Sequence, residues 1–198
     1  MKEPIIELLK RKKTLVLDGA MATELEKLGV DTANDLWSAT ALLTEPAKIT
    51  QVHRSYFAAG AMIATTNTYQ ANFAAFQKRG FNQVQFQQLI KQAVDCARQA
   101  QSSAKIPNET LVAGSVGPYG AYLADGSEYT GNYQLTEAEF QNFHYLRIKA
   151  LLAAQVDVLA IETQPKFAEV QALVKLLAAK FSQTTAWISF SIKDPQHL

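Results

Sequence analysis

Two carboxylates each follow directly on a run of apolar residues, Asp18 after Leu15-Val16-Leu17 and Glu162 after Val158-Leu159-Ala160-Ile161. An ionised carboxylate beside an apolar run is costly unless something pairs it. A ligand ammonium group would pair it, and Gly19 after Asp18 would let the backbone approach such a ligand closely. Plainer partners exist for both. Asp18 could cap the helix that includes Glu24, Leu25 and Leu28. Glu162 could form a structural salt bridge with Lys166 or Arg147. Asn67, in the polar run Thr66-Asn67-Thr68-Tyr69, could face the same ligand or cap a helix over Tyr69–Phe76.

Other chemistries find less support. His53 and His144 fall at helical spacing on covering helices and read as structural. Cys96 has no histidine beside it and sits on an apolar helical face, so a Cys–His nucleophile is not indicated. One cysteine offers no zinc site. No glycine-rich phosphate loop occurs. Gly117-Pro118-Tyr119-Gly120 has turn composition. The polar stretch Asp125-Gly126-Ser127-Glu128-Tyr129 has the character of an active-site lid.

The elements that would position these residues alternate between short β-rich runs and longer helical stretches. Strands are expected at 14–17, 61–65, 111–115, 156–161 and 185–192. A helix is expected from Pro46 to about Ala59, with Thr44 as its cap. Others run over Phe81–Gln101 and Lys166–Ala179, and one follows the capping-box pair Thr136 and Glu139. This alternation implies a parallel sheet covered by helices. A five-strand open sheet and a (β/α)8 barrel both fit the order. The polar clusters follow several different strands, which leans toward a barrel rim.

The composition narrows the setting. The chain has 198 residues, 48% of them apolar and 19% charged, which indicates a soluble globular domain. Its formal charge of +1 argues against a nucleic-acid or anionic-membrane partner. The basic run Lys10–Lys13 reads as a solvated helix end. It follows the short apolar stretch at the amino terminus, the reverse of a secretory signal. No apolar run approaches the ~20 residues of a membrane helix, and a cytoplasmic protein is expected.

Five stretches in order resemble the homocysteine S-methyltransferase family. They are Leu15–Thr23, Ala64–Tyr69, Gly114–Ala121 with Tyr129-Thr130-Gly131, Ile161-Glu162-Thr163 and Ser189-Phe190-Ser191. The resemblance implies an α/β fold, a (β/α)8 TIM-type barrel, here incomplete, with residues 1–198 supplying about the first five strands of one homocysteine-binding domain. It implies that Asp18 and Glu162 hold the homocysteine ammonium and that Gly19 lies close to the amino acid. Asn67 and Tyr69 would line the same pocket, Tyr69 near the thiol. The implied reaction moves a methyl group from S-methylmethionine or S-adenosylmethionine to the homocysteine thiol, giving methionine.

In the family, zinc held by three later cysteines activates the thiol, and those ligands are absent from this chain. No catalytic residue or metal ligand is therefore assigned here. The chain is expected to be inactive by itself and to self-associate through exposed sheet edges. A non-catalytic amino-acid-binding or interaction module is the alternative.

Overall fold

The computed structural model of the chain describes residues 4–32 and 37–192. The helices are α1 (Pro4–Lys12), α2 (Met21–Lys27), α3 (Ala41–Thr44), α4 (Pro46–Ala59), α5 (Phe73–Gln77), α6 (Gln83–Ser102), α7 (Tyr119–Leu123), α8 (Ser127–Thr130), α9 (Glu137–Ala153) and α10 (Phe167–Lys180). The strands are β1 (Ile63–Thr65), β2 (Leu111–Val116), β3 (Val158–Gln164) and β4 (Ala186–Phe190), all parallel and in the order β1-β2-β3-β4.

The expected first strand is reduced to a single parallel bridge between Leu17 and Ile63. Asp18 N–H donates to Ile63 O and Met62 N–H to Val16 O, so the segment still runs beside β1. With no described strand on its far side, it lacks the second ladder that would hold an extended run. Including that segment, the sheet order is monotonic. A flavodoxin-like order has the first strand inside the sheet and a point where the order reverses, so the open-sheet alternative is overturned.

Alternation along the strands separates two faces. Ala64, Val112, Leu159 and Ile161 point toward a large core shared with the helices, where α4 packs on α6, α6 on α9 and α9 on α10. Ile63, Leu111, Ala113, Val158 and Ala160 point the other way and pack around Leu8 of α1. A monotonic parallel sheet with its large helices in one neighbour-to-neighbour layer is the wall of a (β/α) barrel.

Local signals explain the long helices. Asn82 with Gln85, and Thr136 with Glu139, form capping boxes at the starts of α6 and α9. Pro46 begins α4, but Glu45 stands at the cap position and Thr44 belongs to α3, so the Thr44 cap is not formed. Leu89, Ala93, Cys96 and Ala100 of α6 are all buried, as their spacing predicts.

Candidate functional site

The inward face of the sheet changes character at the carboxyl ends of its strands. After Ile63 comes Thr65, after Leu111 and Ala113 comes Ser115, and after Val158 and Ala160 comes Glu162. These three residues and Asp18 border a cleft of about 410 Å3 that also includes Gly19, Asn67 and Tyr69. All five residues singled out from the sequence therefore line one cleft.

Asp18 does not cap α2. Ala20 occupies the cap position and makes no side-chain cap bond. The Asp18 carboxylate instead accepts from Thr65 N–H at 2.8 Å and from Thr65 Oγ1 at 2.8 Å. Burial, opposed by those bonds and reinforced by the charge of Glu162, raises its pKa from 3.8 to about 6. Below it, His53 of α4 is fully buried with Nδ1 3.9 Å from Asp18 Oδ2, and neither ring nitrogen has a hydrogen-bond partner. Burial lowers the His53 pKa to about 4, so the ring is neutral and leaves the Asp18 charge uncompensated. Position 19 packs against Tyr56, where a Cβ would lie 2.9 Å from the phenol oxygen. The Tyr56 hydroxyl donates to Ala20 O at 3.0 Å.

Glu162 has neither of its expected basic partners. Ser115 Oγ donates to its carboxylate at 2.6 Å, while Lys166 reaches Gly131 O. Burial raises the Glu162 pKa, and the Ser115 bond opposes that shift. The β3–β4 register is irregular between Ile161 and Gln164, and Thr163 has φ of 55°. Positive φ on a β-branched residue is a strained conformation of the kind that clusters at functional sites. Thr163 N–H donates to Ser189 Oγ at 3.1 Å, which ties this bulge to β4.

Asn67 is 5% exposed and does not cap a helix over 69–76. The helix there is α5, capped by Asn72 through Ala75 N–H. Burial raises the pKa of Tyr69, so its hydroxyl stays protonated and cannot serve as a base at neutral pH.

Arg147 lies behind this wall. It donates to Tyr69 O at 2.8 Å, to Gly117 O at 2.6 Å and to His144 Nδ1 at 2.9 Å. An arginine only donates, so His144 Nδ1 accepts and Nε2–H donates to Glu169 Oε1 at 2.7 Å. Glu169 also accepts from Tyr119 N–H at 2.7 Å and the Tyr133 hydroxyl at 2.5 Å. Burial lowers the Arg147 pKa to about 10, which leaves it charged. A buried Arg–His–Glu chain thus holds the Tyr69 and Gly117 loops against α9 and α10. His144 is structural, as expected, but its structure is that of the site's support. No single motif marks that support, because its parts are scattered from residue 69 to residue 169.

The expected lid over 125–129 is α8 with its flanking turn. Glu128 is 6% exposed and lines the cleft, a placement that the polar run alone did not signal. Among the described residues, no three His, Cys, Asp or Glu side chains are grouped to hold a metal ion. Cys96 is buried and donates to Pro46 O, outside the cleft. The zinc implied by the resemblance finds no matching ligand set among these residues.

Comparison with known proteins adds the deciding observation. The homocysteine S-methyltransferase family model matches residues 15–198. The chain belongs to that family. It is 48% identical to the homocysteine S-methyltransferase of Escherichia coli strain K12 over 199 residues, which are 98% of this chain and 64% of that protein. It is 48% identical to homocysteine S-methyltransferase YbgG of Bacillus subtilis strain 168 over 202 residues, again 98% and 64%. The chain therefore spans just under two-thirds of the length of these curated relatives.

The crystal structure of the E. coli homocysteine methyltransferase MmuM in its metallated form superposes with a TM-score of 0.93 at 48% identity, covering 98% of this chain and 69% of that one. The apo form superposes at 0.79, covering 98% and 66%. The fold is accordingly that of this family's α/β TIM-type barrel, present in part.

Proposed function

We propose that the chain is the N-terminal part of a single homocysteine-binding barrel domain, and that the whole protein transfers a methyl group from a sulfonium donor to the homocysteine thiol. The observation that carries this reading is the convergence of Asp18 and Glu162 in one strand-end cleft that, among the described residues, is lined by no basic side chain. Two carboxylates without a protein cation suit an ammonium group. Ser115 and Thr65 orient the carboxylates through hydrogen bonds, and Asn67 and Tyr69 fill the wall beside them. The donor is S-methylmethionine or S-adenosylmethionine, and the product is methionine.

In the transfer, the homocysteine sulfur forms a bond to the donor methyl carbon as the carbon–sulfonium bond breaks. The bonding pair stays on the donor sulfur, which becomes a neutral thioether. This chain's part is to hold and orient the amino acid. The zinc implied by the resemblance would supply thiol activation, and residues that could hold it are not among those described. A cytoplasmic location fits this chemistry, and no helix among the described residues is long and apolar enough to cross a membrane. The reading is tested by supplying the protein in its full reading frame with homocysteine, zinc and each donor in turn. Methionine formed from one donor supports it, and none from either donor contradicts it.

A further inference from the structure

Two carboxylates account for one ammonium group, but the cleft has three. Glu128 is the third, and among the described residues its Oε2 is buried without a hydrogen-bond partner. Such an oxygen ordinarily keeps a partner, because leaving it unpaired forfeits its hydration. Among the described residues, nothing basic lines the cleft to supply one. Beside it, Tyr129 also lines the cleft and is 65% exposed, an aromatic ring with a free surface next to an unpaired acid. The charges of Glu128 and Glu162 both act on Tyr69, so the third acid shares the pocket with the other two.

The local chain is built to hold Glu128 there. Gly120 of α7 packs directly on α8, where a Cβ would come within 2.4 Å of Ser127 C and 2.5 Å of Glu128 N. Only glycine permits that approach. Asp125 accepts from Ser127 N–H at 3.0 Å at the start of α8, and the Ser191 hydroxyl donates to Glu128 O at 3.3 Å from beyond β4. The backbone of α8 is thus held by α7, by the turn before it and by the segment after β4.

We propose that Glu128 and Tyr129 form the subsite for the cationic sulfur of the methyl donor. Glu128 acts as its counter-ion, and the Tyr129 ring supplies a cation–π face. This assignment rests on the reading of the cleft as a homocysteine site. It gives each acid a task, since two hold the amine and one holds the sulfonium. It also suits turnover, because transfer of the methyl group removes the positive charge that Glu128 faces and so loosens the demethylated donor.

The test is calorimetric titration of the chain, with homocysteine present, by S-methylmethionine and by homoleucine, its uncharged carbon isostere. Wild type is expected to prefer the sulfonium by at least ~10-fold, as a desolvated charge pair with an aromatic face would. Glu128→Gln should bring the two ligands to near-equal affinity and leave homocysteine affinity within ~2-fold, which also reports that the variant is folded. Tyr129→Leu should reduce the preference by several-fold. If homocysteine binds and Glu128→Gln keeps the sulfonium preference, the subsite is wrong and the homocysteine reading stands. If homocysteine fails to bind wild type, both fall together.

Discussion

Asp18 carries a tension between stability and binding. Its folded pKa of about 6 lies above the ordinary 3.8, so between those values the folded state binds a proton that the unfolded state has lost. Stability therefore falls as pH rises through that window, and at pH 7 the ionised group costs about 3 kcal/mol. Asp18→Asn should raise stability at pH 7 by about 1–2 kcal/mol, less than the whole because one Thr65 bond weakens, and should make no difference near pH 3. Urea melts at the two pH values check this. The same change should abolish amine binding, and wild-type affinity for homocysteine should climb as pH rises through about 6.

The meeting of Asp18, Gly19, Asn67, Tyr69 and Glu162 in one cleft was legible in the sequence, because each lies at or just past the carboxyl end of a strand or strand-like run, where side chains of a parallel sheet reach the rim. Their partners were not. Thr65 binding Asp18 and Ser115 binding Glu162 depend on which face each strand turns inward. The two-residue alternation of Leu111, Ala113 and Ser115 holds that information once register is known. Glu128 gave no signal, because a polar run in sequence does not reveal which of its members is buried.

At the scale of elements, capping boxes and apolar spacing made α6 and α9 legible, and local hydrogen bonds decide both ends. The short segments were less so. The stretch 14–17 has strand composition but ladders on one side alone, and the helix expected over 69–76 begins later, where Asn72 provides the cap. Arg147 is the joint between elements. Its removal would leave Glu169 as an uncompensated buried charge, the Gly117 carbonyl without its arginine donor, and Tyr69 O with Gly117 N–H alone. Arg147→Ala is expected to cost about 3–5 kcal/mol, and Arg147→Lys should recover little, since a lysine cannot span both carbonyls and the imidazole. Thermal unfolding of the two variants tests this. Gly120→Ala should cost at least about 1–3 kcal/mol, because the backbone of α8 lies where the methyl would go.

At the scale of the molecule, the described wall has two exposed apolar margins. Val16 and Leu17 are 55% and 47% exposed at one, and Phe190 and Ile192 are 51% and 47% exposed at the other. Apolar residues on unpaired margins favour association with another chain. The sedimentation coefficient of the chain is expected to rise with concentration, and Phe190→Lys should suppress that rise with a stability change within about 0.5 kcal/mol. The monotonic strand order is the global feature the sequence did not hold outright, since strand–helix alternation is shared by barrels and open sheets. The spread of polar residues over several strand ends pointed to the correct one.

The central claim is that Asp18 and Glu162 together hold an amino acid's ammonium group, and homocysteine titration of wild type against Glu162→Gln tests it most directly. The account predicts saturable binding of one homocysteine per wild-type chain at pH 7.5, weakened at least ~10-fold by the substitution, the loss expected when a buried charge partner is removed. Equal affinity in the two proteins would contradict it.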